Sequence, residues 1–164
     1  MIKKILGIGF IVLVVFIGLW YYFTFKYVPK GEVFDIRYEN VELISFKGHP
    51  ETEKAEIRNH GLYTRTNFTA NNEELTYTFT ATNDGTLEAK LKYNPIYLRT
   101  DMYFKKHVYY RVSYLDGSEI KKGDTLNPGE TKTFKVYIKY TNTDLVTQNS
   151  QFYESLVWLV YVRK

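Results

Sequence analysis

A chain of 164 residues has room for one domain and an appendage, and 45% hydrophobic residues is the composition of a globular protein, not a disordered one. The 16 Tyr and 11 Phe favour half-buried β-strands, while the absence of Cys excludes a disulfide framework, a thiolate metal site and a cysteine nucleophile. Of the net charge of +4, two units come from Lys3 and Lys4 ahead of a hydrophobic run, and all 18 acidic residues follow that run among interspersed cations, so no nucleic-acid footprint remains.

The run from Ile5 to Phe25 carries no charge. As a helix rising ~1.5 Å per residue it is about 31 Å long, enough to span a bilayer. Trp20, Tyr21 and Tyr22 stand near its end, where amphipathic rings settle at the headgroups, and Lys26, Tyr27 and Lys30 follow. A cleaved signal peptide is the competing reading. Against it, the run exceeds the roughly 7 to 15 apolar residues of a signal peptide and ends in large aromatics where a small-x-small cleavage site belongs. The expected organisation is a cytoplasmic tail (1–4), a transmembrane signal-anchor helix (5–25), a linker (26–32) and an extracytoplasmic domain (33–164). Lys3 and Lys4 are nearly balanced by Lys26, Lys30 and Arg37, so the orientation rests on the usual form of a signal-anchor.

Beyond Pro29 and Gly31 the alternation has the period of strands. Strands are expected at Val33 to Tyr38, Val41 to Phe46 and Leu62 to Thr69. Leu75, Tyr77, Phe79 and Ala81 alternate with threonines, Leu87, Ala89, Leu91 and Tyr93 with charged residues, and Phe134, Val136, Ile138 and Tyr140 with Lys135, Tyr137 and Lys139. Val108 to Tyr114 is a further strand, and Leu156 to Val162, apolar on both faces, is expected to be central or doubly covered. Asn83-Asp84-Gly85, Asp116-Gly117 and Asn127-Pro128-Gly129 supply turns between them. Strands joined without helices predict an all-β fold, an immunoglobulin-like antiparallel β-sandwich preceded by one transmembrane helix. Broken alternation makes Asn94 to Lys106 a long loop.

Thr78 to Leu91 (TFTATNDGTLEAKL) and Tyr110 to Tyr140, with its Y-x-D-G-like and L-x-P-G-E blocks, resemble a recurrent module of extracytoplasmic proteins in Gram-positive and related bacteria. The resemblance covers about half the chain and implies an immunoglobulin or fibronectin type III sandwich behind a signal or anchor. More distantly the layout is similar to camelysin-type biofilm-matrix proteins, whose β-sandwich subunits can form fibres. It departs from them in keeping its anchor, and neither resemblance carries a catalytic residue.

No chemistry-bearing motif stands out. His49, His60 and His107 are dispersed, and no nucleophile elbow, P-loop or dinucleotide fingerprint occurs. Asp84, Asp116 and Asp124 fall in or beside turns, where their own hydrogen bonding explains them and calcium ligation is the alternative. Asn67-Phe68-Thr69 matches a glycosylation sequon. A non-enzymatic binding or structural module is therefore expected at the cell membrane, needing no cofactor and contacting the lipid bilayer and a surface protein or glycan. Tyr97, Tyr103, Phe104 and Tyr109 are the candidate contacts, because Tyr offers apolar area and a hydroxyl at little entropic cost. The alternative is a subunit of a surface fibre or envelope complex assembled through sheet edges.

Overall fold

Strict alternation over Glu74–Asn83 is realised as a pleat: Leu75, Tyr77, Phe79 and Ala81 are all buried. The computed structural model describes residues 17, 20, 31–93, 95–99, 107–141 and 152–164. Within them lie β1 (Ile36–Lys47), β2 (Glu51–Arg58), β3 (Gly61–Asn67), β4 (Glu74–Asn83), β5 (Ala89–Leu91), β6 (Ile96–Arg99), β7 (Val108–Tyr114), β8 (Thr125–Leu126), β9 (Thr131–Tyr140), β10 (Phe152–Trp158) and β11 (Tyr161–Arg163).

The chain divides into two units, Met1–Glu32 and Val33–Lys164. Ile17 and Trp20 in the first are helical and exposed. The rest of the expected anchor, including Lys3, Lys4, Tyr21 and Tyr22, lies outside the described residues, among which no helix is long and apolar enough to cross a membrane. The second unit is all-β. Its sheets run β1-β4-β9-β7, β2-β3-β10-β6 and β11-β5-β8, with antiparallel pairing throughout.

All three sheets bury side chains in one core. The first supplies Tyr77, Phe79, Phe134 and Val136, the second Leu62, Tyr153 and Val157, and the third Ala89, Leu91, Leu126 and Tyr161. Phe79 and Phe134 are register partners on β4 and β9, with ring centroids 5.4 Å apart.

The strands differ from expectation in several places, among them the unexpected two-residue β8 and the shortening of the Leu87 to Tyr93 strand to β5, which leaves Tyr93 exposed. Val33 to Tyr38 and Val41 to Phe46 fuse into β1, whose register shifts between Glu39 and Glu42 and again between Leu43 and Ser45; Asn40 carries the first irregularity at φ 58°. β2 has no apolar signature because it is an edge strand lined by Glu51, Glu53, Lys54, Glu56 and Arg58. The Asn94 to Lys106 loop contains β6, which pairs with β10. The expected Leu156 to Val162 strand ends at Trp158 and resumes as β11 in another sheet, the chain turning where the Leu159 amide donates to the His60 carbonyl. β10 does hold an interior position, between β3 and β6.

The turn blocks meet in space. Asn83 is fully buried, its Nδ2 donating to the carbonyls of Leu87 (2.8 Å) and Leu126 (2.9 Å) while its Oδ1 accepts from the Gly85 amide (3.0 Å). Its backbone amide and carbonyl bond Glu130 and Gly129. Gly85 is required by close approach: a Cβ there would lie 2.3 Å from the Val33 carbonyl oxygen, since residues 33–35 cross this turn.

Candidate binding face

The outer face of the first sheet is built by three antiparallel pairings, whose registers align side chains from four strands into rows. Lys47, Glu74, Lys139 and Tyr109 form one row, Ser45, Thr76, Tyr137 and Arg111 the next, and Glu42, Thr78, Lys135 and Ser113 a third. The alternation that buries Phe134, Val136 and Ile138 is what turns Lys135, Tyr137 and Lys139 outward.

Between these rows runs an open groove of about 520 Å³, lined by Tyr109, Arg111, Ser113, Lys135 and Tyr137, with Ile44, Ser45 and Thr76 on the far side and Gly117 at one end. Tyr109 is half exposed and meets Tyr137 edge to face, centroids 6.3 Å apart. Burial and a hydrogen bond to the Glu74 carboxylate raise the Tyr137 phenol above its ordinary value. The same carboxylate lies 3.3 Å from Lys139 and 3.8 Å from Lys47, and despite some burial these donors hold it below the ordinary range.

Arg111 differs from those lysines in having no carboxylate partner among the described residues. It stands diagonally across the ladder from Lys135, a separation of roughly 7–8 Å for such pairs. A guanidinium with no carboxylate partner among the described residues, beside a second cation, opposite Tyr137 and two residues from Tyr109 on its own strand, with the hydroxyls of Ser113 and Thr76 also lining the groove, can hold an oxyanion bidentately and offer a ring face to an apolar surface.

Of the residues expected to contact a partner, Tyr109 lies in this groove. Tyr97 is on β6, opposite Val157 at the edge of the second sheet, and Tyr103 and Phe104 lie outside the described residues. Arg111, Lys135 and Tyr137 were legible only as the polar side of strands, because cross-strand register, not sequence distance, brings them to Tyr109.

The turn aspartates are occupied by local bonds. Asp84 accepts from Arg37 Nε at 2.6 Å, and this bond depresses its carboxyl; Asp116 accepts from the amide and hydroxyl of Ser118; Asp124 accepts from the Lys121 amide and the Tyr114 hydroxyl. Among the described residues no three His, Asp or Glu side chains gather as metal ligands. Asn67 and Phe68 are buried, which removes the sequon from the surface. Compared with protein-family models, curated proteins and solved structures, the chain matches none.

Proposed function

We propose that this protein is a membrane-anchored, extracytoplasmic binding module without enzymatic activity, an immunoglobulin-like β-sandwich that holds a surface protein or glycan in the groove of its first sheet. The observation that carries the reading is Arg111, a cation with no carboxylate partner among the described residues, opposite Tyr137 and on the same strand face as Tyr109. Aromatic and arginine side chains in a shallow concavity are the residue types that concentrate binding energy. Antiparallel sheets around one core support the sandwich. The charge-free run at 5–25 supports the anchor, with its N-terminal tail cytoplasmic.

Binding of the detergent-solubilised full chain to an array of acidic and neutral glycans, together with recovery of envelope proteins, tests the site. Arg111→Ala should weaken a specific ligand about tenfold or more, as expected for losing a hydrogen bond to a charged group. Equal retention of every ligand by Arg111→Ala and Tyr109→Ala would remove the groove from the reading. Protease added to intact cells should digest residues beyond the anchor; protection until lysis would reverse the orientation.

A further inference from the structure

β1 is an edge strand that pairs, among the described residues, only with β4. Its second half leaves large apolar side chains in water: Leu43 is 43% exposed, Ile44 46% and Phe46 65%. The edge strand β2 is protected differently, by charges paired as Lys54 with Glu56 and Glu53 with Arg65. An unpaired row of backbone groups flanked by exposed apolar residues is a template for another strand.

We propose that this edge is completed by a second copy of the chain, with the two β1 strands antiparallel about a dyad between Ile44 and Ser45. In a regular strand, residues 42 and 47 would point to opposite faces, and no two-fold pairing could oppose them. The bulge changes this. Glu42, Ser45 and Lys47 are opposite Thr78, Thr76 and Glu74 on the outer face, Ile44 is the extra residue and joins Ser45 in lining the outer groove, and Leu43 and Phe46 are opposite Tyr77 and Leu75 on the inner face. Read from 42 to 47 the faces run outer, inner, outer, outer, inner, outer, a sequence identical in both directions.

Antiparallel pairing about that centre places Glu42 of one copy opposite Lys47 of the other, Leu43 opposite Phe46, and Ile44 opposite Ser45. Each contact occurs twice, as an isologous interface requires. Both charged pairs are of opposite sign and both inner-face pairs are apolar, the combinations that stabilise cross-strand neighbours. Glu42 has no ion-pair partner among the described residues, so its carboxylate is available to the second copy. The first sheet would thereby become continuous across two chains, and the Ile44 walls of the two grooves would adjoin. This inference does not depend on the groove having a ligand.

The protein has no cysteine, so introduced thiols report the register directly. Directly opposed strand residues lie near disulfide distance. Full-length chains carrying Glu42→Cys and Lys47→Cys, mixed in detergent and oxidised, should form a heterodimer, while either variant alone should crosslink little, because its own thiols sit at opposite ends of the ladder. Six residues per chain make a small interface, so dimerisation should depend on concentration. Sedimentation should show that Lys47→Glu weakens it several-fold and that adding Glu42→Lys to the same chain restores it. Crosslinking of each single variant as strong as the mixture, or a charge swap without rescue, overturns the pairing. A wild-type chain that stays monomeric at every concentration also overturns it and leaves this edge to a strand of another protein.

Discussion

Tyr38 and Tyr161 show how one phenol in two settings has opposite consequences. The Tyr38 hydroxyl donates to the Leu159 carbonyl at 2.5 Å, joining β1 to the link between β10 and β11, whereas the Tyr161 hydroxyl is buried with no hydrogen-bond partner among the described residues. A buried hydroxyl with no partner carries a desolvation cost that its removal relieves. Tyr161→Phe should therefore leave stability unchanged or slightly raised, and Tyr38→Phe should lower it by about 1 kcal/mol, as for one lost hydrogen bond. Urea unfolding of both variants measures the difference, and a larger loss from Tyr161→Phe would contradict the assignment. Glu73 is a buried carboxylate of a third kind. It accepts from the His49 amide, the Thr69 amide and the Thr69 hydroxyl at 2.9, 2.7 and 3.0 Å, and it ties the β1–β2 turn to the segment before β4 with no cationic partner among the described residues.

β9 divides its labour between two faces, and the division is testable within the one strand. Phe134 and Ile138 are fully buried, and replacing either by Ala removes apolar contacts and leaves a cavity, so each should cost about 2–5 kcal/mol. Lys135 lies on the outer face in the groove, and Lys135→Ala should change stability by no more than about 0.5 kcal/mol. Chemical denaturation separates the two outcomes; similar losses on both faces would contradict the register. The edge elements divide in another way. β2 uses charge to remain an edge, while the second half of β1 leaves Leu43, Ile44 and Phe46 exposed between Glu42 and Lys47.

Across the whole domain, tyrosines fasten one sheet to another. Burial raises the phenols of Tyr38, Tyr114 and Tyr161 well above their ordinary value, and for Tyr114 the bond it donates to Asp124 at 2.7 Å adds to the effect. The folded chain holds these protons more tightly than the unfolded chain, whose phenols titrate near pH ~10. Their contribution is therefore complete below that value and is lost as pH rises through it. Stability should fall steeply between about pH 10 and 12, with the absorbance of these buried tyrosinates appearing together with unfolding instead of before it. Ionisation of every tyrosine at pH ~10 while the near-ultraviolet dichroism stays native would refute this coupling.

How much was legible follows from the range of each signal. Alternation is local, so the inner and outer residues of β4 and β9 could be read directly, and the turns at Asn83, Asp116 and Asn127 followed from residues suited to them. β2 and β6 were not legible, one because its apolar face holds only Ala55 and Ile57 and a register shift between Thr52 and Lys54 breaks the period, and the other because four residues are too few to establish it. Tyr109 was singled out for its chemistry, but its neighbours were not, since Arg111, Tyr137 and Lys135 become one surface only through the pairing of β7 with β9. The sequence by itself determined an all-β domain and the faces of its longest strands, because a two-residue period is written in adjacent residues. Tertiary structure alone decided which strands are neighbours, where the chain changes sheets, and that Glu42 and Lys47 share a face, because these depend on hydrogen-bond register between distant segments and on one inserted residue in β1.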